Sequence, residues 1–375
     1  MSLDSNKFSY SLMLIINKAS EMIEILNMGK ILITGGLGYI GSHTCLLFLE
    51  KGFEVIAYDV LLNSEIRTFH EIKALIGEIN PKLVDNFSFV EGDIRDSKLL
   101  SEVFLRNRLE GSEIQGVIHF AGLKSVERSV EDPLLYWDFN VKGTINLLKV
   151  MENNNCKKIV FSSSATVYGE SNNNLLDEKT TLNPRNPYGD SKLAIEKILK
   201  NLSSNHDNWM VGILRYFNPA GAHESGKLGE STKFKSENLF PKICDVAAKK
   251  IEKIFIYGKF WPTKDGTCVR DYIHVMDLAE AHLSAYKSLT LDDNFFILNV
   301  GSGIGTTVLE LIRIFENTND CNIPIEFVEK RPGDVSRLVA DNKLIIEKLN
   351  WRAKRNIHEI CKSGWSFYKK SSNEN

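Results

Sequence analysis

From Lys30 to about residue 216, short apolar runs rich in β-branched residues alternate with longer amphipathic segments. This alternation predicts β-strands joined by crossover helices, which form a parallel, doubly wound sheet. The predicted strands are 30–34, 54–58, 87–91, 116–120, 158–162 and 210–214, and the predicted helices are 39–50, 64–79, 98–105, 134–151 and 188–202. We therefore expect an α/β fold of the Rossmann type.

A glycine-rich turn follows the first predicted strand. Gly35, Gly38 and Gly41 span the turn from that strand into the first predicted helix, and Asp59 follows the second predicted strand. Such glycines let the backbone approach a pyrophosphate, which the positive end of the helix attracts. A carboxylate at the end of the second strand accepts hydrogen bonds from ribose hydroxyls and repels a 2′-phosphate. The pattern favours NAD over NADP, and the alternative is a plain turn followed by a surface aspartate.

Three polar residues further along suggest acid–base chemistry. Tyr188 and Lys192 are spaced i,i+4 at the start of a predicted helix, so their side chains project from one face. Ser164 follows the fifth predicted strand, at the sheet edge where ligands bind. An ammonium and a pyridinium charge nearby would stabilise a tyrosinate, which makes Tyr188 a candidate general acid and base. The ordinary alternatives are a solvated helix pair and a serine-rich turn.

Composition and charge exclude several classes of protein. The chain has 46 Lys and Arg against 48 Asp and Glu, so its net charge of -2 gives no general attraction to nucleic acid or to an anionic membrane. The six cysteines form no CxxC pair, which disfavours a structural metal site and indicates reduced thiols. The early apolar run at 12–16 is too short for a membrane span or a signal peptide. We expect a cytoplasmic protein without metal.

Longer stretches carry a resemblance to a known family. The glycine motif, Asp59, the Tyr188–Lys192 pair and the segments at 162–169, 215–222 and 262–276 resemble the extended short-chain dehydrogenase/reductases, and within them the epimerases that act on UDP-hexoses. The resemblance runs from about residue 28 to about residue 365. It implies NAD-dependent, reversible inversion at C4 of UDP-glucose and UDP-galactose through a transient 4-keto sugar. The most specific stretch includes Arg270-Asp271-Tyr272-Ile273-His274-Val275.

The resemblance also implies site residues. The expected catalytic residues are Tyr188, Lys192 and Ser164. The expected NAD-binding residues are Gly35, Gly38, Tyr39, Ile40, Gly41, Asp59, Asn63, Ser64, Asp93, Ile94, Phe120, Ala121, Gly122, Lys124, Tyr188, Lys192 and Tyr216. The expected residues for the nucleotide sugar are Lys124, Ser164, Thr166, Tyr188, Phe217, Asn218, Asn238, Leu239, Ile256, Tyr257, Arg270, Arg331, Asp334 and Leu338. Guanidinium groups of the last set suit the UDP diphosphate.

Some positions depart from the commonest pattern of these epimerases. Val60 and Cys268 replace a polar residue and a glycine, and Asp190 should point away from the site because it lies between Tyr188 and Lys192 on the helix. By the same resemblance, Leu338 stands at the position of the gate of the sugar pocket, where Tyr restricts the enzymes to plain hexoses and smaller residues admit N-acetylated ones. An intermediate Leu suggests some activity on N-acetylated UDP-hexosamines, unless Leu338 is an ordinary core leucine.

Three rival functions remain at this stage. A nucleotide-sugar 4,6-dehydratase normally has Asp-Glu after the fifth strand, where this chain has Ala165-Thr166. A simple dehydrogenase would leave the Asn218 and Arg270 motifs unexplained. A non-catalytic NAD sensor would be expected to have lost Tyr188 or Lys192.

The expected organisation has three parts. Residues 1–28 form an N-terminal extension that we expect to be disordered, with a partner-binding or targeting helix as the weaker alternative. Residues 29–216, with a returning segment near 271–300, form the NAD-binding domain. Residues 217–370 form a smaller, interleaved domain for the nucleotide sugar. By the same family resemblance, the helices at 134–151 and 188–202 are expected to pair across a homodimer.

Overall fold

The structure is a computed structural model that describes residues 29–171, 173–206, 208–230, 238–331 and 334–373. The expectation of a disordered N-terminal extension at 1–28 lies outside the described residues.

A seven-stranded parallel sheet forms the centre of the fold, in the order β10-β6-β5-β4-β1-β2-β3. Its strands are β1 (Lys30–Thr34), β2 (Glu54–Asp59), β3 (Phe87–Glu91), β4 (Ile114–His119), β5 (Lys158–Ser164), β6 (Met210–Tyr216) and β10 (Phe295–Val300). The six strands predicted from the sequence are all present, and β10 adds a seventh beside β6. The expected doubly wound Rossmann-like fold is confirmed.

The helices up to residue 205 follow the predicted ones closely. They are α1 (Tyr39–Glu50), α2 (Ile66–Ile79), α3 (Ser97–Leu109), α4 (Val126–Glu131), α5 (Pro133–Tyr136), α6 (Gly143–Asn153) and α7 (Pro187–Asn205). Short 3₁₀ turns occupy Pro81–Asn86 and Ala165–Val167. The single helix predicted at 134–151 is wrong in one respect, because a π-helical stretch at Trp137–Lys142 separates α5 from α6.

Both faces of the sheet are buried. Within β1, Ile31 and Ile33 lie in one apolar cluster with Phe48 of α1, whereas Leu32 lies in the opposite cluster with Leu199 of α7. Successive side chains of a strand point to opposite faces. The near-continuous apolar strands therefore fit a sheet covered by helices on both sides.

Most of the chain after β6, apart from α9 (Val275–Ser288) and β10, builds a smaller set of elements at the carboxyl ends of the strands. Besides these two, the chain after β6 contains β7 (Asn218–Ala220), α8 (Leu239–Ala247), β8 (Ile254–Tyr257), β9 (Val269–His274), β11 (Gly305–Thr307), α10 (Val308–Asn319), β12 (Ile325–Val328), β13 (Arg337–Leu338), α11 (Lys343–Leu349) and α12 (Ile357–Asn373). Strand β9 pairs with β7, β11 and β13, and β8 pairs with β12. Helix α9 packs against α1, so the segment that leads into β10 returns to the large sheet.

No helix within the described parts of the chain is long and apolar enough to cross a membrane. Across those same residues, no group of three or more His, Cys, Asp or Glu side chains is placed to hold a metal ion. All six cysteines are free thiols, and five of them are buried.

Candidate active site

The turn between β1 and α1 forms a cradle that requires glycine. Gly35 has a φ of 68°, and a Cβ there would come within 2.8 Å of the Ala121 nitrogen. A Cβ on Gly41 would lie 2.1 Å from the Gly35 carbonyl oxygen. Gly38 caps α1 without any side chain, so the N–H groups of Tyr39 and Ile40 at the first turn have no capping side chain. This arrangement suits a pyrophosphate held by backbone N–H groups.

Asp59 ends β2 beside this cradle. Its Oδ2 accepts a hydrogen bond of 3.0 Å from the Leu37 N–H, and its Oδ1 accepts bonds from the Leu61 N–H and the Ser64 hydroxyl at 2.9 Å and 2.7 Å. These donors fix a charged carboxylate at the strand end, and a carboxylate has further acceptor positions. The geometry therefore fits the ribose hydroxyls of NAD better than the 2′-phosphate of NADP. Asn63 is exposed next to it.

The ends of the neighbouring strands complete the cradle. The N–H groups of Phe120 and Ala121 both donate to the Thr34 carbonyl, which places the loop after β4, including Gly122, against Gly35. After β3, the Asp93 carboxylate is clamped by Arg95 through its backbone N–H at 2.8 Å and its Nη2 at 2.6 Å. This contact lowers the pKa of Asp93 against the opposing effect of burial. Arg95 was not predicted from the sequence, and the buried Ile94 lies between the two.

Ser164 and Tyr188 meet at the carboxyl edge of the sheet. Ser164 is the last residue of β5 and pairs with Tyr216 of β6, and Tyr188 lies in the first turn of α7. The Tyr188 phenol lies beside the Ser164 and Tyr216 hydroxyls, and both of them affect its pKa. Ser164 Oγ accepts the Thr166 hydroxyl at 3.0 Å, so its own proton is available to the Tyr188 oxygen.

Lys192 lies one turn further along α7, on the same buried face. Its ammonium donates to the Ser162 carbonyl at 3.0 Å and lies 5.8 Å from the centre of the Tyr188 ring. Burial lowers the pKa of Lys192 to about 8, and the charge of Glu196 opposes this shift. Burial also raises the pKa of Tyr188 well above its usual value, with a further contribution from Tyr216. Stabilisation of a tyrosinate by Lys192 together with a pyridinium charge stays a prediction.

The smaller set of elements brings charged and aromatic groups towards this edge. Arg270 of β9 donates to the Val269 and Val335 carbonyls at 2.9 Å and lies 3.7 Å from the Asp334 carboxylate. The Arg331 guanidinium stacks 4.1 Å from the centre of the Tyr257 ring. Stacked and partly desolvated guanidinium groups are suited to a nucleoside diphosphate.

Apolar residues form a wall next to Ser164. Phe217 belongs to the buried cluster that contains Ala165 and Ala340, and Leu338 packs against that cluster. Leu338 pairs with Arg270 in register. Leu338 is only partly buried, so it faces both the cluster and open space. Asn218 begins β7 opposite Tyr272.

Several of the expected binding residues have side chains that are paired with other residues or buried. Lys124 is more than half exposed and forms an ion pair with Glu230 at 2.9 Å, and Asn238 donates to the same carboxylate at 3.1 Å. Glu230 carried no sequence signal. Leu239 begins α8, and Ile256 is buried within β8, which leaves mainly its backbone for a ligand.

The departures from the family pattern lie around the site. Asp190 is exposed and points away, as expected. Cys268 is buried beside Arg270, and burial raises the pKa of its thiol. Val60 is exposed after Asp59.

A glycine cradle and a Ser, Tyr and Lys set at the carboxyl edge of a parallel sheet define the extended short-chain dehydrogenase/reductase class. A family model described as GDP-mannose 4,6 dehydratase matches residues 32–364. A UDP-glucose 4-epimerase of Bacillus subtilis is 43% identical over 345 residues, which are 92% of this chain and 98% of that protein, and one of Yersinia enterocolitica is 44% identical with the same two coverages.

Solved structures agree. The UDP-glucose 4-epimerase of Stenotrophomonas maltophila, crystallised with NAD and formylated UDP-arabinopyranose, superposes with a TM-score of 0.87 at 38% identity, covering 93% of this chain and 100% of that one. The enzyme of Bifidobacterium longum with NAD+ and UDP gives 0.85 at 39% identity, covering 92% and 100%. The chain belongs to the UDP-glucose 4-epimerase family.

Proposed function

We propose that this protein interconverts UDP-glucose and UDP-galactose by NAD-dependent inversion at C4, through a transient 4-keto sugar. The observation that carries the proposal is the meeting of Ser164, Tyr188 and Lys192 between the glycine cradle and the arginines of the smaller elements. The part at 29–216, with the returning segment at 271–300, holds NAD, and the part at 217–370 holds the nucleotide sugar.

Tyr188 is the general acid and base. It takes the proton from the sugar O4 as the C–H bond at C4 breaks, and it returns a proton when the keto group is reduced. NAD held at the glycine cradle would supply the acceptor and donor of the C4 hydride. Ser164 donates to the reacting oxygen or to Tyr188, and Thr166 holds Ser164 in place. Lys192 supplies a positive charge that favours the tyrosinate.

The binding residues allow the sugar to turn between the two transfers. Arg270 and Arg331 hold the diphosphate, and Tyr257 offers its ring beside Arg331 to the uracil. The sugar then has only its linkage to the phosphate as a tether, and it presents its other face for the return of hydride. No net oxidation occurs, so NAD acts catalytically.

The pocket wall supports a wider choice of sugar. Leu338 stands partly open beside Phe217, and Leu lacks several heavy atoms of a tyrosine. We propose that N-acetylated UDP-hexosamines also react, more slowly than the plain hexoses.

Exposed apolar side chains on α4, α5 and the π-helical stretch support a homodimer. Val130, Leu134 and Trp137 have exposed fractions of 64%, 78% and 41%, and they lie on α4, α5 and the π-helical stretch. Large apolar groups at such exposure are typical of interaction surfaces. Two copies pairing through the 134–151 and 188–202 segments would cover them. The buried free thiols support the expected cytoplasmic location.

A dehydratase is the second candidate, because of the description of the matching family model. After Ser164 the chain offers Ala165 and Thr166, and neither side chain supplies the carboxylate needed to eliminate water. The residues at this strand end therefore favour the epimerase.

The test is to mix the purified protein with UDP-galactose, without added NAD, and to follow UDP-glucose. Formation of UDP-glucose to equilibrium supports the proposal. Release of a 4-keto-6-deoxy sugar, or accumulation of NADH in proportion to substrate, would overturn it.

A further inference from the structure

A buried ion pair lies directly behind the proposed catalytic residues. Arg215 of β6 and Glu196 of α7 have exposed side-chain fractions of 2% and 3%. The Arg215 Nε and Nη2 donate to the Glu196 carboxylate at 3.0 Å and 2.6 Å. Two buried charges are expensive to desolvate, so such a pair is weak evidence for stability and calls for another role.

The pair joins the elements that carry the active site. Ser163 of β5 donates to Glu196 at 2.5 Å, so one carboxylate holds both β5 and β6 against α7. Ser163 and Arg215 are paired in register, and the next residues are Ser164 and Tyr216. Both of these lie beside the Tyr188 phenol. A shift of Glu196 would therefore move both residues that neighbour the Tyr188 hydroxyl.

Glu196 is also one turn beyond Lys192 on the same buried face of α7. We propose that Glu196 and Arg215 are positioning residues for proton transfer: they fix Lys192, Ser164 and Tyr216 relative to Tyr188 and provide a negative charge near the Lys192 ammonium. This inference rests on the proposed function, because it assigns the pair a role in that reaction.

The surroundings of Lys192 contain few other charges. On its own helix it faces Tyr188 and Glu196, and on β5 it faces Phe161 and the Ser162 carbonyl. On β4, His119 is held between Thr34 and Thr144 at 2.7 Å and 2.8 Å, and burial, assisted by Lys192, lowers its pKa to about 3. On β6 the groups are Tyr216 and Arg215, the latter bound by Glu196.

The network also extends away from the reacting atoms. Arg215 Nη1 donates to the Tyr168 hydroxyl at 3.0 Å, and that hydroxyl donates to Asn299 of β10 at 2.6 Å. The Glu178 carboxylate accepts the Asn299 N–H on the far side. Glu196 is therefore the carboxylate closest along this network to Lys192.

The decisive variant is Glu196→Gln, which keeps the shape and removes the charge. We expect kcat to fall by about tenfold or more with KM for UDP-glucose changed less, because the partners of Tyr188 lose their alignment. The alkaline limb of the kcat profile should move to lower pH, since the ammonium of Lys192 loses a stabilising charge. Competitive acetylation of Lys192, followed by mass spectrometry across pH, should show the same shift without relying on turnover.

The matched control is Asp277→Asn, which removes another buried carboxylate charge, paired with the partly exposed Arg355 away from the site. It should lower thermal stability while leaving kcat and the Lys192 acetylation midpoint unchanged. If Glu196→Gln does not fold, the neutral double variant E196Q/R215M replaces it, and kcat should remain low.

Wild-type kcat and an unchanged Lys192 midpoint in the folded Glu196→Gln variant, or wild-type kcat in the double variant, would overturn the inference. So would an equal shift in Asp277→Asn. If the wild-type protein fails to epimerise UDP-galactose, the proposed function fails, whereas the acetylation midpoint still reports whether Glu196 acts on Lys192.

Discussion

Tyr188 is the residue on which the proposed reaction depends. The Tyr188→Phe variant keeps the buried ring in the first turn of α7 and removes only the hydroxyl that lies beside Ser164 and Tyr216. We expect turnover to fall by at least about 10², with the fold and the bound NAD retained. Near-normal epimerisation by this variant, with NAD content measured after denaturation as the control, would exclude Tyr188 as the base.

The ionisation of Lys192 predicts a pH dependence. Its pKa is lowered to about 8 by burial, so the charged form dominates below that pH and is lost as the pH rises through it. The neutral amine cannot favour a tyrosinate, and kcat should therefore decline above pH 8. The Lys192→Met variant should lack this alkaline limb. A wild-type profile that stays flat up to pH 10 would contradict the role of the ammonium.

Leu338 predicts the range of sugars. Replacing Leu338 by Tyr fills the open side of the wall beside Phe217, where a C2 N-acetyl group would need room. An apolar wall of this kind discriminates by about 1–3 kcal/mol. Leu338→Tyr should suppress UDP-N-acetylglucosamine turnover selectively and spare UDP-glucose. Equal losses on both substrates, or no wild-type activity on N-acetylated sugars at high enzyme concentration, would show that Leu338 is a core leucine.

At the scale of elements, the exposed apolar groups on α4, α5 and the π-helical stretch predict assembly. Leu134 is the most exposed of them, at 78%. A charged side chain there would be desolvated in a dimer, so Leu134→Arg should weaken the pairing while leaving the monomer folded. Sedimentation velocity at micromolar concentration should give a dimer for the wild type and a shift towards monomer for the variant. Leu109→Arg, equally exposed on α3, is the control.

The elements show what periodicity can and cannot predict. Strands β1 and β3 and helix α1 have the predicted ends, because apolar runs there are bounded by glycine or polar residues. The π-helical stretch at Trp137–Lys142 was missed, since its cause is tertiary. Asn140 within it bonds the Leu123 N–H and carbonyl and the Ser191 hydroxyl, and no local pattern reveals those partners.

At the scale of the whole molecule, the fold and the location of the site could be predicted from the sequence. The residues that hold the site residues in place could not. Ser164, Tyr188 and Asp59 follow from strand ends and helix spacing, and the structure places them at one edge of the sheet. Glu196, Arg95 and Glu230 were not predicted. Glu196 and Glu230 pair with residues on distant segments, and Arg95 binds both the neighbouring Asp93 and Asp138 of the π-helical stretch. A charged residue in a helix or loop is ordinarily solvated, so the sequence does not reveal such partners.

The most direct measurement follows the hydrogen at C4 of the sugar. UDP-galactose labelled with deuterium at C4 is converted by the purified protein in ordinary water, and the product is analysed by mass spectrometry and NMR. Because the hydride leaves C4 and returns to the same carbon, the account predicts UDP-glucose that retains deuterium at C4. Replacement of the label by solvent hydrogen during epimerisation would contradict it.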